Sequence, residues 1–231
     1  MDITRYLAVT AWEYSQATYT TPIAWMACHF SPYETGLSNI PDNLPRDSMV
    51  ILNDRTPPNG HDQGMIADQL NRLGDLFQIK RFLLDFQREN DPETISLVAF
   101  LTEKVIGSVA VTEKYAKHCN SPVFISCPLP HQTLSYSISK WKNRELWLEL
   151  GTESEIVTIC KNDYNCDIFQ ELSLSEKDYI DTNLHCRYRT DVFDNCVRLT
   201  LERSEKELDL LMNEAEKLGI KIAVGLFQQF K

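Results

Sequence analysis

The sequence predicts one α/β domain of the (β/α)8 type, a compact TIM-barrel-like fold in which some helices are replaced by loops. Three observations carry this. Short apolar runs recur along the chain, several followed by a polar loop and then by apolar residues at three-and-four spacing, the pattern of parallel strands joined by right-handed crossovers. About eight such runs can be counted, which favours a closed barrel, although 231 residues lie near the lower end of the range of about 200 to 400 for this architecture. No GxGxxG or GxxxxGK[ST] stretch occurs, so the nucleotide-binding form of the open doubly wound sheet has no support.

Taken in order, the strand candidates begin with Pro22 to Cys28 and Met49 to Leu52. The segment between them, FSPYETGLSNIPDNLP, lacks helical periodicity and reads as a loop replacing the first helix. After a Pro-Pro-Asn-Gly loop, Met65, Ile66, Leu70, Leu73, Leu76 and Phe77 have the spacing of an amphipathic helix, with Asp62 as its cap. Phe82 to Phe86 is the third strand. Pro92, whose missing N–H costs nothing in a first turn, opens a helix bearing Ile95, Val98, Leu101, Thr102 and Val105.

Ser108 to Thr112, Val123 to Ser126 and Leu146 to Leu150 follow as strands, the first two separated by a short helical stretch, EKYAKHCN. A further strand is expected within Cys186 to Leu201, with Asp194-Asn195 as a hairpin turn. The last helix has Ser204 and Glu207 in capping-box positions, a stripe of Leu208, Leu211, Met212, Ala215 and Leu218, and Gly219 as its stop. Ile222 to Leu226 closes the set. A hairpin is expected as an insertion at 151–172 on the sixth connection, and ITRYLAVTAWEYS reads equally well as helix or strand.

Composition limits the function classes. A net charge of −10 gives little reason to approach phosphate backbones, so nucleic acid is disfavoured as a partner. No apolar window of about 18 residues and no signal-peptide pattern is present, so a cytoplasmic protein without membrane association is expected. The seven cysteines show no CxxC pair and are expected to be reduced and mostly buried. Oligomeric state has no sequence signal.

In a parallel barrel the loops at the carboxyl ends of the strands converge on one mouth, where barrel enzymes place their sites. The polar residues expected there are His29, Asp54, Arg55, Asp85, Gln87, Glu113, His131, Glu149, Arg189 and Gln228. Carboxylates gathered in one mouth suit acid/base chemistry, a pair being the usual minimum for glycoside hydrolysis. Structural roles compete: Asp54 is well suited to satisfying turn amides, and Glu113 to favouring a helix start. Alternation puts Glu145, Trp147 and Glu149 on one strand face and Leu146, Leu148 and Leu150 on the other. No HxH, HExxH or GxSxG pattern supports a metal, a cofactor or acyl transfer. Trp25, Trp141 and Trp147 are candidates for sugar stacking, with the core as the commoner setting for such rings.

Residues 49 to 89 resemble the third and fourth strands of chitinase-like family 18 glycoside hydrolases, whose fourth strand ends in DxxDxDxE. Over FLLDFQRE the pattern puts Phe82 at the first aspartate, Asp85 at the second, Gln87 at the third and Glu89 at the acid. The resemblance implies that Glu89 protonates the leaving oxygen, and that the aspartate replaced here by Gln87 assists the substrate acetamido group. Asp85, Gln87 and Glu89 alternate onto one face if the strand continues that far. The expected function is a glycoside hydrolase-like barrel with Asp85, Glu89 and Glu149 as catalytic candidates. Asp54, Arg55, Gln87, Glu113, His131 and Gln228 are its substrate-binding candidates. The alternatives are a non-catalytic barrel binding a carbohydrate or other small ligand, for which Gln87 is the motivating departure, and an interaction protein whose mouth is plugged.

Overall fold

Eight strands run parallel and close on themselves. They are met here in a computed structural model that describes residues 3–16, 21–58, 60–88, 91–141, 143–161, 163–169, 174, 178–193 and 195–230. In chain order the chain forms β1 (Thr4–Val9), α1 (Ala11–Gln16), β2 (Ile23–Phe30), β3 (Leu37–Ser38), β4 (Met49–Asn53), α2 (Gln63–Phe77), β5 (Arg81–Asp85), α3 (Pro92–Lys104), β6 (Ser108–Thr112), β7 (Val123–Ile125), α4 (Leu134–Ile138) and β8 (Leu146–Leu150). Then come β9 (Glu153–Cys160), β10 (Asp163–Phe169), β11 (Tyr179–Asp181), β12 (Cys186–Phe193), β13 (Cys196–Arg203), α5 (Glu205–Lys217) and β14 (Ile222–Leu226). The barrel order is β1-β14-β8-β7-β6-β5-β4-β2, and pairing of β1 with β2 completes the circle.

The local signals act as expected at the helix ends. Asp62 accepts from the Met65 amide and Asp91 from the Thr94 amide, and Ser204 with Glu207 makes the reciprocal capping box. The connection over 31–48 has no helix and carries only β3, paired antiparallel to the end of β2. EKYAKHCN yields one 3₁₀ turn, Ala116–His118.

Three expectations need correction. The ambiguous amino-terminal segment supplies the first barrel strand: Tyr6 and Ala8 face the barrel axis, and β1 bridges β14 and β2. Six residues are too few for periodicity to separate helix from strand, and only the gap in the circle decides. The strand expected within Cys186 to Leu201 is instead two strands outside the barrel. β9 to β13 form a separate five-stranded antiparallel sheet, order β10-β9-β13-β12-β11, following the seventh barrel strand. The expected hairpin is the β9–β10 part of this larger insert. Phe193 pairs with Cys196, as the expected turn requires, while Asp194 lies outside the described residues.

The third correction concerns the thiols. Cys160 and Cys196 form a disulfide. They sit directly opposite each other on β9 and β13, a juxtaposition created by sheet order and invisible in a spacing of 36 residues. Cys28, Cys127 and Cys186 are free and buried, and Cys119 is free and partly buried.

Two apolar layers result. Tyr6, Ala8, Ala24, Met49, Ile51, Leu83, Ala110, Trp147, Ile222 and Val224 fill the barrel interior. Phe82, Leu84, Val50, Leu52 and Leu148 point outward and pack with Ile66, Leu70, Leu97, Val98, Leu101, Leu208 and Leu211 from the helices. The alternation of each strand therefore sorts its residues between axis and helix layer.

Candidate active site

The interior alternation places the candidate carboxylates. Along β5, Leu83 faces the axis, so Asp85 at the strand's end stands in the uppermost interior layer; along β8, Trp147 faces the axis and Glu149 stands above it. Asn53 pairs with Asp85 in register and occupies the same layer on β4. These residues open onto a cavity of about 730 Å³ at the carboxyl ends of the strands. Ile51, Leu83 and Val224 line its floor; His29, Asn53, Arg55, Asp85, Glu149 and Glu153 are among its polar walls. Among the described residues the mouth holds a cavity, where the plugged-barrel alternative expects none.

Burial pushes the Glu149 carboxyl above its usual range, and the charge of Asp85 pushes it further, against the opposing Cys127 amide. Asp85 is raised chiefly by burial, with Asp54 adding and a hydrogen bond from Gln87 Nε2 to Oδ1 at 2.6 Å opposing. Glu153, on the first residue of the insert, is raised by burial while the Arg203 guanidinium pulls it down. A buried carboxyl raised in this way by a neighbouring carboxylate, as Glu149 is by Asp85, can hold a proton for delivery to a ligand oxygen.

The remaining candidates separate by strand parity and chain end. β5 ends at Asp85, so the strand does not carry Gln87 onward; Gln87 is exposed and borders a smaller cavity of about 280 Å³ that shares Asp85, Phe124 and Glu149 with the main one. Glu113 also borders that cavity, where its Oε1 accepts from Trp141 Nε1 at 2.8 Å and from Lys140 at 2.6 Å. Arg55 lines the main cavity and is exposed. Asp54 has the opposite parity from Asn53. Its Oδ2 accepts from the amides of Gln87 and Arg88 at 2.9 and 2.8 Å, so it shapes the loop after β5 and does not line either cavity.

His131 turns away from the mouth to buried Glu155, its Nδ1 lying 2.8 Å from Oε1. Arg189 lies on β12 in the insert beside Asp191. Gln228 is exposed, and its neighbour Gln229 lines the cavity instead. Glu89 lies outside the described residues. Trp25 and Trp147 are core, whereas Trp12, 68% exposed, stands in the wall of the mouth. Sequence reasoning missed Trp12, Glu153 and Cys127: Trp12 belongs to the ambiguous amino-terminal segment and Glu153 to the insert. Among the described residues no group of three or more His, Cys, Asp or Glu is placed to hold a metal ion.

No family model and no curated protein matches the sequence. The architecture does have solved counterparts. The spore cortex-lytic enzyme SleL of Bacillus cereus covers 97% of this chain and 70% of its own, at TM-score 0.57 and 7% identity. A glycoside hydrolase family 18 N-acetylglucosaminidase of Paenibacillus barengoltzii covers 97% and 94%, at TM-score 0.56 and 8% identity. A GH18 chitinase of Cycas revoluta, solved in complex with (GlcNAc)4, covers 96% and 94%, at TM-score 0.56 and 9% identity. The barrel is similar to those of family 18 glycoside hydrolases. At these identities the likeness is one of fold.

Proposed function

We propose that the chain is a glycoside hydrolase-like barrel that takes a carbohydrate in the mouth formed by Asp85 and Glu149. The observation that carries the reading is the pair itself: two carboxyls, from β5 and β8, face one cavity, and the charge of one raises the other. In this reading Glu149, whose hold on its proton is strengthened by burial and by the charge of Asp85, donates that proton to the departing glycosidic oxygen. Asp85, held by the hydrogen bond from Gln87, orients the sugar. Glu89, the acid implied by the family pattern, is the competing donor. Trp12 offers a ring face to the apolar side of a pyranose. The fold neighbours, one of them bearing (GlcNAc)4, make a GlcNAc-type oligosaccharide the first ligand to try.

A second reading, binding without hydrolysis, is favoured by Gln87, which replaces an aspartate of the pattern and can hydrogen-bond an acetamido group without balancing positive charge. One experiment separates them. Release of reducing ends and binding of (GlcNAc)4 are measured for the wild type and for Asp85→Asn, Glu149→Gln and Glu89→Gln. Hydrolysis lost in Glu149→Gln with binding retained supports the first reading, and binding without turnover in the wild type supports the second. Full hydrolysis by Asp85→Asn and Glu149→Gln sinks the proposed roles.

A further inference from the structure

β2 carries an irregularity that bears on the mouth. Its register against β4 shifts between Trp25 and Cys28, the mark of an extra residue bulged into one strand. Ala24, before the shift, and Met26, within it, pack toward the barrel interior. Strict alternation from Met26 would turn Cys28 inward and His29 outward. The reverse is found: Cys28 and Phe30 join the outer layer beneath the helices, and His29 lines the cavity. The amide of Asn53 reinforces the arrangement, Nδ2 donating to the carbonyls of Met26 at 3.0 Å and Cys28 at 2.9 Å. A bulge that interrupts a ladder is retained in a sheet where it re-aims a side chain.

The imidazole is oriented as well as delivered. His29 Nδ1 lies 2.9 Å from the carbonyl oxygen of Ala27, with the Asn39 amide more distant at 3.5 Å. A carbonyl only accepts, so the shorter contact puts the proton on Nδ1 of the neutral ring. Nε2 then carries a lone pair, and among the described residues it has no hydrogen-bond partner. His29 itself is partly exposed on the cavity wall.

We propose that His29 is a ligand-binding residue of the mouth, its Nε2 accepting a hydrogen bond from a hydroxyl of the bound molecule. The assignment rests on the carbohydrate reading and deepens it by naming the ligand group: an O–H donor. An obligate acceptor such as a carboxylate or phosphate oxygen finds no donor there on the neutral ring. Asn53 acts through His29 as a positioning residue, since its amide holds the bulge.

The test uses the full chain with ¹⁵N-labelled histidine and (GlcNAc)4, cellotetraose and maltotetraose as probes, His29 being assigned by its loss in His29→Phe. In the free protein His29 shows the Nδ1–H tautomer, and saturation with a bound tetrasaccharide moves its Nε2 resonance toward lower frequency. His29→Phe weakens that binding about tenfold, the scale of one lost hydrogen bond in a site, with Tm held near the wild-type value. His29→Gln, which restores an acceptor oxygen, recovers part of the affinity. Undiminished binding by His29→Phe, an Nε2–H tautomer in the free protein, or an Nε2 resonance indifferent to saturating ligand overturns the assignment while leaving the carbohydrate reading intact. A wild type that binds none of the three saccharides overturns the carbohydrate reading, and the His29 assignment with it.

Discussion

Replacing Arg203 by methionine should loosen the insert from the barrel. Arg203 is 1% exposed, and its guanidinium donates to the carbonyls of His185 at 3.2 Å and Leu184 at 2.8 Å within the insert, and to that of Pro128 on the barrel loop after β7. Three charge-assisted hydrogen bonds at about 1.5 kcal/mol each give about 4.5 kcal/mol. The buried methionine stem returns about 1.5 kcal/mol of that, leaving a net destabilisation of about 3 kcal/mol. With a urea m-value of about 3 kcal/mol/M, the unfolding midpoint should fall by about 1 M. All four tryptophans lie outside the insert, so their fluorescence follows the barrel, while hydrogen exchange in β9 to β13 follows the insert. Exchange in the insert should accelerate more than barrel unfolding. A midpoint within about 0.3 M of the wild type, with insert amides as protected as before, would refute the reasoning.

Further outcomes follow from the same geometry. Replacing both Cys160 and Cys196 by serine opens a 36-residue loop and should cost about 4 kcal/mol in the chain-entropy treatment, read as a fall in Tm; equal Tm with and without reductant would contradict the bridge. Glu149→Gln should raise stability at pH 7, because a carboxyl whose folded pKa is elevated penalises the folded state once ionised. That advantage should shrink as pH falls through the elevated value and vanish below the ordinary glutamate value of 4.5, where the wild-type carboxyl is neutral in both states; a gap that widens toward acid would reverse the sign. Asp62→Ala removes the side chain that accepts from the Met65 amide and should cost about 1 kcal/mol in denaturant unfolding without touching the mouth.

The barrel was legible where chemistry is local. Asp62, Asp91-Pro92 and Ser204 with Glu207 announce helix starts through groups a few residues apart, and the apolar runs announce strands because a barrel strand is apolar on both faces. The assignment of Asp85 and Glu149 to the uppermost layer followed from alternation once the interior face was known. What stayed hidden depended on partners distant in the chain. Thr4–Val9 is a strand because β14 and β2 leave a place between them, and Cys160 meets Cys196 because β9 neighbours β13.

The sequence by itself determined the alternation of strand and helix, the helix caps, and which residues could carry acid/base chemistry, since each is written in side-chain type and short-range spacing. Only the tertiary structure decided which of them share a cavity. Parity turned Asp54 to its neighbours' amides and kept Asn53 in the mouth layer, and a bulge in β2 reversed the face of His29. A shift of one residue in a strand exchanges its two faces, and the register that fixes it is a property of the closed sheet, not of any one strand.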